Sequence, residues 1–389
     1  MFSSRLDWSV EANALSRAVD ERRASGAPIL DLTASNPTAA GLPYPAAEIT
    51  AALGDERSVH YTPDPCGLVE ARRAVSAYYG ERGHTVDPER LVLTASTSEA
   101  YGWLFKLLAD PGDELLVPHP SYPLFDFLAA LESVRLRPYT LGFDSAWHLD
   151  LAAVRAAIGP RSRAILLVNP NNPTGSFIRR EELSALATLA VEHDLALISD
   201  EVFSDYAFAP DAERVETLVD EERALTFCLS GLSKVVGLPQ LKLGWICVAG
   251  PPAARAAALQ RLELIADTYL SVGAPVQHAA ARLLGLRSTV GAAIAGRTRA
   301  SLAAAAAAVR GTALGLLPVE GGWTATLRMP ATRTDEAWAI DLLRQDGVLT
   351  QPGYFYDFPF EDRAYLVVSL LTPPELLAEG IARIAARVG

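Results

Sequence analysis

The chain is short of several things, and each shortage removes a class of function. It has no basic run or tail, and 46 acidic residues against 34 basic ones give a formal net charge of −12. Neither nucleic acid nor an acidic membrane surface is therefore an expected partner. The three cysteines, Cys66, Cys228 and Cys247, have neither paired nor metal-type spacing. They read as small apolar packing residues, so no disulfide framework and no metal site are expected. The opening Met-Phe-Ser-Ser-Arg-Leu-Asp-Trp lacks the apolar core of a signal peptide. The most uniform apolar run, Leu302 to Val309, falls well short of the roughly 20 residues that span a bilayer. A reduced cytoplasm is the expected compartment. There is no internal repeat and no low-complexity linker.

The scarcest cation is the most informative. Only three of the 34 basic residues are lysine, namely Lys106, Lys234 and Lys242, and the other 31 are arginine. Arginine stays protonated and cannot form a Schiff base, whereas a lysine amine can once it loses its proton. Lys234 sits among Leu232, Val235, Val236 and Leu238, which is poor company for a solvated surface cation. It reads as a covalent anchor.

What is present is an ordinary globular composition, 50% hydrophobic and 21% charged over 389 residues, long enough for two domains. Leu6 to Arg23 reads as an amphipathic helix and Pro28 to Leu32 as a short strand. From His60 onward, apolar strands alternate with helices. Strands are expected at Leu91–Thr94, Leu115–Pro118, Ala164–Val168, Leu195–Ser199, Leu225–Ser230 and Leu243–Val248. Such continuous apolar strands argue for a mainly parallel sheet covered on both faces, with its ligand at the carboxyl ends. Four of those ends hold Ser96, Asn169, Asp200 and Ser230, which are expected to converge on one crevice. A long helical stretch from Ala253 to about Arg310 follows. Strands at Gly321–Leu327 and Tyr365–Ser369 and a helix from Pro374 to Val388 then suggest a smaller α+β domain.

The local chemistry sharpens this picture. Ser96, Thr97 and Ser98 open a helix, where free N–H groups and hydroxyls make an anion site or simply a cap. Asn169-Pro-Asn-Asn-Pro-Thr-Gly is a stiffened loop presenting Asn172. Asp200, ending a buried strand, needs a partner for its charge, and a protonated ring nitrogen would serve. Tyr122 could lay its ring on a planar ligand or be ordinary core.

Together these residues make the chain resemble the pyridoxal-phosphate enzymes of fold type I, specifically the class I/II aminotransferases similar to aspartate and kynurenine aminotransferases. The resemblance covers nearly the whole chain. It is carried by Ser35-Asn-Pro, Tyr61-Thr-Pro-Asp-Pro-Cys-Gly, the Ser96 loop, Pro111-Gly-Asp-Glu, Asn169 to Gly175, Asp200-Glu-Val, and Gly231-Leu-Ser-Lys234 with Gly244. It implies a three-layer α/β/α large domain with a mainly parallel sheet plus a smaller α+β domain. The expected bounds are an N-terminal arm over 1–44 joining the small domain, a large domain over 45–285, and the small domain over 286–389. It implies that Lys234 binds pyridoxal 5′-phosphate covalently and shuttles the substrate proton, while Asp200 pairs with the ring nitrogen. Asn172 is expected on the phenolic oxygen, Tyr122 on the ring face, and Ser96, Thr97, Ser98 and Lys242 on the phosphate. Tyr61 resembles a tyrosine that reaches the phosphate of a neighbouring subunit, which implies a homodimer.

Three positions depart from the family. Phe203 stands where a tyrosine donates to the phenolic oxygen. Lys242 stands where arginine is usual, although kynurenine-aminotransferase-like branches also carry lysine there. Val367 stands where an arginine clamps the substrate carboxylate, so either Arg328, Arg363 or an arginine of the N-terminal arm replaces it, or the substrate lacks an ordinary α-carboxylate, or the reaction differs. Arg328 itself reads more readily as a solvated strand residue than as a clamp. The expected activity is amino transfer from an amino acid or amino-acid-derived amine to a keto acid, as the resemblance implies. Elimination, oxidative deamination or cyclisation on the same scaffold are alternatives. A ligand sensor without turnover is more remote, since no basic N-terminal module precedes the fold.

Overall fold

The computed structural model describes every residue except Met1, Ser9, Val10, Phe360, Glu361 and Gly389. Its strands, in chain order, are β1 (Leu30–Asp31), β2 (Leu91–Thr94), β3 (Glu114–His119), β4 (Arg135–Phe143), β5 (Trp147–Leu149), β6 (Ser162–Val168) and β7 (Ala196–Asp200). They continue with β8 (Thr226–Gly231), β9 (Gly244–Ala249), β10 (Gly315–Leu316), β11 (Thr324–Met329), β12 (Val348–Leu349), β13 (Gln351–Pro352) and β14 (Ala364–Ser369).

Eight strands form one sheet in the order β2-β9-β8-β7-β6-β3-β4-β5. The run β8, β7, β6, β3 and β4 is parallel throughout, while β9 and β5 join it antiparallel. Alternate residues of each strand feed two separate cores. Leu93, Leu116, Ile165 and Leu197 point into one, whereas Val92, Val117, Leu166 and Ile198 point into the other. Two buried faces explain why these strands read as unbroken apolar runs. Each fully buried aliphatic side chain contributes about 1.5–3 kcal/mol over its exposed state, so the sheet is a stiff platform for its loops.

A second sheet runs β10-β11-β14-β13, and β1 pairs in parallel with β12. A third core gathers Leu15, Ala18 and Leu32 from the N-terminal segment with Ala305, Leu327, Leu366 and Ile381. The helix Val290–Ala308 reaches both bodies, placing Ile294 in the first core and Ala305 in the third.

Three element boundaries differ from expectation. The first helix spans Ala14–Ala24, because the Asn13 side chain accepts from the Ser16 N–H and caps it there; Ser4–Leu6 is a separate 3-10 turn. The long helical stretch is divided into Pro252–Tyr269, Ala274–Gly285 and Val290–Ala308, with Leu270 in the left-handed region at φ 43°. The strand expected from Gly321 starts at Thr324, since Gly322 turns the chain at φ 89°. Among the described residues, no helix is long and apolar enough to cross a membrane.

Candidate active site

The carboxyl ends of the parallel strands open into a cavity of about 540 Å³ between the large and small sheets. Eight of the nine residues expected to hold the cofactor line it: Ser96, Thr97, Ser98, Tyr122, Asn172, Asp200, Lys234 and Lys242.

The lysine loop is held by a backbone contact that only glycine permits. β8 ends at Gly231 and β9 begins at Gly244, and these two are register partners. A Cβ on Gly231 would lie 2.9 Å from both the Gly244 Cα and the Leu243 carbonyl oxygen. Between them the chain makes the short helix Leu232–Val235, and the Leu238 N–H donates back to the Leu232 carbonyl at 3.0 Å. Tyr206 donates its hydroxyl to the Lys234 carbonyl at 2.5 Å, fixing the backbone of the reactive residue. The Lys234 Nζ lies 4.9 Å from the Trp323 ring centre and 5.6 Å from that of Phe203. Burial among these rings pushes the amine below its ordinary 10.5, and the Asp200 charge only partly opposes the shift. A larger share of neutral amine, and hence of nucleophile, follows.

Asp200 is held at the β7 terminus, with Oδ2 accepting from the Tyr101 hydroxyl at 2.8 Å and Oδ1 from the Val202 N–H at 3.1 Å. Burial raises its pKa, while those two donors and Lys234 pull it back down. A cation brought to this carboxylate would favour its ionised form further.

The helix Thr97–Leu108 aims its N-terminus at the cavity. Ser96 caps it, its Oγ accepting from the Glu99 N–H at 3.2 Å, and the Glu99 carboxylate accepts from the Ala95 N–H at 2.7 Å. The capping reading of Ser96 therefore holds. The first-turn amides at Thr97 and Ser98 have no intrahelical acceptor, and with their hydroxyls and Lys242 they suit an anion.

Asn172 reaches the cavity because its loop is pinned at both ends. Gly175 has φ 72°, and a Cβ there would meet Val319 Cγ2 at 2.2 Å and the Gly321 oxygen at 2.6 Å. The Gly175 carbonyl accepts from the Gly321 N–H at 3.0 Å, tying this loop to the smaller body. Thr324 donates to the Pro173 carbonyl at 3.1 Å and lies 3.4 Å from Asn172 Oδ1.

Several expectations are corrected. Of the four polar strand ends, only Ser96 and Asp200 line the cavity. Asn169 is buried and spends its amide on the Val215 carbonyl and the Ile178 N–H, at 2.8 and 3.0 Å. Ser230 is buried with its hydroxyl unpartnered. Arg328 and Arg363 face a different hollow, beside Phe143 and Asp144. Arg328 leans over Gly315 on β10, whose added Cβ would lie 3.3 Å from the arginine Nε. The arginines Arg5, Arg17 and Arg22 of the N-terminal segment bond backbone carbonyls outside the cavity. Tyr61 does not line this cavity in its own chain and is 81% exposed. Val367 is buried in β14, paired with Thr326 on one side and Gln351 on the other.

Other lining residues were not anticipated from sequence: Tyr101, Trp323, Thr324, Gln351 and Ser369. Phe355 and Tyr356, from the run Tyr354-Phe-Tyr-Asp-Phe that reads as an aromatic pocket wall or as plain core, do line it. Tyr101 sits one turn into the helix that Ser96 opens, which was its one available signal.

Comparison with known proteins now decides the family. The model for aminotransferase class I and II matches residues 27–384. The chain belongs to that family. It is 32% identical to the glutamate-pyruvate aminotransferase AlaA of Escherichia coli K12 over 261 residues, which are 67% of this chain and 64% of that protein. The match thus spans just under two thirds of that relative's own length. The AlaA of Haemophilus influenzae is 27% identical over 92% of this chain and 90% of its own. An Escherichia coli aminotransferase crystal structure superposes with a TM-score of 0.85 at 26% identity, covering 100% of this chain and 98% of that one. The fold is therefore that of the fold type I enzymes, which depend on pyridoxal phosphate. The residues present fit such a group: a close-packed Gly231–Gly244 floor, unspent helix amides, a buried carboxylate and a buried amine.

Proposed function

We propose that this protein is an aminotransferase that moves an amino group from an amino acid or an amino-acid-derived amine to a keto acid, with pyridoxal phosphate bound in the cavity at Lys234. Pyridoxal phosphate, when bound, supplies an aldehyde that condenses with amines and a ring that accepts the electrons released at the substrate Cα. The observation that carries the reading is the Lys234 amine, held below its ordinary pKa by burial, in one cavity with Asp200 and the open helix N-terminus.

Each side chain then has a task. Lys234 offers its neutral amine as the covalent anchor and, when released, takes the proton from the substrate Cα. Asp200, oriented by Tyr101 and the Val202 N–H, holds a proton at the ring nitrogen. Asn172 donates to the phenolic oxygen, and Tyr122 covers the ring. Ser96, Thr97, Ser98 and Lys242 take the phosphate. Phe203 brings no hydroxyl to this network, so Asn172 carries the phenolic oxygen alone among the residues predicted for it.

The reading extends to assembly. The exposed Tyr61 shares a shallow hollow with Trp103 and Leu270, beside exposed Val59. This apolar surface supports a homodimer in which Tyr61 reaches the partner's phosphate. The third core, which joins Leu15, Ala18 and Leu32 to buried residues from Ala305 onward, supports an N-terminal arm over 1–44 that joins a small domain over 286–389 beside a large domain over 45–285. The three unpaired thiols suit a cytoplasmic setting.

The test is amino transfer itself. The protein loaded with pyridoxal phosphate is mixed with ¹⁵N-labelled amines, both free acids and amides, and a panel of keto acids. Label must appear in a new amino product. If it appears only as ammonia, the chemistry is deamination or elimination and the transfer reading fails.

A further inference from the structure

We infer that this site takes amines whose second pole is uncharged, and that Gln351 is the side chain that recognises that pole. The inference rests on the cofactor reading above and concerns the cavity wall opposite the phosphate end.

The first step is an inventory of charge. Among the described residues, the cavity is lined by two cations, Lys234 and Lys242, and one anion, Asp200. None of the 31 arginines lines it. With the cofactor bound, Asp200 faces the ring nitrogen, Lys242 and the helix amides face the phosphate, and the Lys234 amine must be neutral to act. A substrate carboxylate would then sit in the cavity with no side-chain cation of this chain left to meet it. An unpaired buried charge costs several kcal/mol, whereas a neutral amide or hydroxyl needs only a hydrogen bond.

The second step is the wall itself. Thr324 pairs with Ser369 across β11 and β14, and Val367 pairs with Gln351 across β14 and β13. Partners in register present their side chains on one face. That face therefore offers Thr324, Ser369, Val367 and Gln351 in a row, all uncharged. Ser369 Oγ is spent on the Ala34 carbonyl, and Thr324 on the Pro173 carbonyl. Gln351 differs from both. The Tyr356 hydroxyl donates to its Oε1, which holds the amide in place, and its Nε2 has no protein partner among the described residues. The free amide edge lines the cavity, donating from Nε2 and retaining an acceptor lone pair on Oε1. A primary amide, which both donates and accepts, matches that edge, and a carboxylate, which only accepts, does not.

The probes are 2-aminoisobutyramide and 2-aminoisobutyrate, a matched amide and acid that carry no Cα proton and so bind without amino transfer. Binding to the loaded protein is read by calorimetry and by the cofactor's absorbance, compared at equal concentrations of free amine. The amide is expected to bind at least tenfold more tightly. Gln351→Leu is expected to weaken the amide about tenfold and leave the acid unchanged. Gln351→Arg, which supplies a cation at the same place, is expected to reverse the order. A merely structural role for Gln351 would lower both affinities together. The inference is overturned if the wild-type protein binds the acid as tightly as the amide, as it would if a partner subunit supplied a cation, or if neither ligand binds. If the amide is preferred but no ¹⁵N transfer occurs from any donor, the inference stands and the aminotransferase reading fails. If transfer occurs and free acids are the better donors, the reverse holds.

Discussion

The two ends of the cavity are built on different principles. At the end formed by the large sheet, Lys234 and Asp200 are charges taken largely out of water and placed by rigid elements, a glycine-tight loop and a strand terminus, while Lys242 is exposed at the cavity rim. At the end formed by the small sheet, the wall is neutral, and its hydroxyls are mostly spent on backbone carbonyls. A buried charge works only when its partner is fixed, so the charged end tolerates little change. A neutral wall loses single hydrogen bonds, each contributing about 0.5–1.5 kcal/mol. The comparison predicts large effects at one end and graded effects at the other.

The largest effect is expected at Lys234. Lys234→Ala should abolish covalent retention of pyridoxal phosphate and cut amino transfer by roughly 10⁴-fold, the scale on which a positioned acid–base group acts. Absorbance after gel filtration reads the first and label transfer the second. Burial also sets a pH signature. A lowered lysine pKa means that the neutral amine appears at a lower pH than for a free lysine. The rate of cofactor uptake by the apoprotein should therefore rise with pH and reach half-maximum below 10.5. A midpoint at or above that value would contradict the buried-amine account.

Asp200 comes next. Asp200→Asn removes the charge facing the ring nitrogen and should lower turnover by about 10²–10³-fold, in line with breaking one partner of a buried charged pair. Tyr101→Phe removes only the hydroxyl that donates to Oδ2, and a hydrogen bond to a charged group contributes about 1.5–3 kcal/mol. Its loss should be about ten- to hundredfold, between wild type and Asp200→Asn. Equal losses in the two variants would mean that Tyr101 holds the carboxylate's position outright.

How much of this could be read from sequence follows the same division. Lys234, Asp200, Asn172 and the Ser96 turn were legible because covalent, ionic and phosphate chemistry demand particular residue types at strand ends. Each lies in a contiguous string with its own turn residues. Tyr101 was not legible as Asp200's partner, because its helix follows β2 whereas Asp200 ends β7, and only packing brings them together. Gln351 and Ser369 are ordinary residues whose meaning comes from the register of the small sheet, while Tyr356 lies in a 3-10 turn of an aromatic run that also reads as plain core. The strand-end rule overreached at Asn169 and Ser230. It places a residue near the crevice but does not say which way the side chain turns, and Asn169 turned to Val215. Arg328 shares the strand and side of Thr324 and Thr326, yet it is exposed and leans over Gly315 at the β10 edge, away from β13, as its reading as a solvated strand residue expects.

The charged end also has a purely steric prediction. Gly231→Ala would place a methyl 2.9 Å from backbone atoms of both Leu243 and Gly244, which cannot swing away as a side chain tip could. The strands would have to separate, at a cost of about 1–3 kcal/mol, the usual range for overpacking. Chemical denaturation should report that loss, and cofactor affinity should fall with it because the same strands frame Lys234. A stable variant with normal affinity would show that the lysine loop does not depend on this contact.

The smallest effect is expected at the neutral end, and it separates recognition from packing. Tyr356→Phe keeps the ring and removes the hydroxyl that fixes Gln351 Oε1. The amide of Gln351 is then free to rotate, so its donor edge faces the cavity for only part of the time. One neutral hydrogen bond corresponds to roughly a three- to tenfold change. Amide ligands should weaken by that factor while acids stay as they were, and covalent retention of the cofactor at Lys234 should not change. Calorimetry with the same amide and acid pair checks the first part and absorbance the second. A loss shared equally by amide and acid would place Tyr356 in the packing of the wall, leaving Gln351 without its orienting partner.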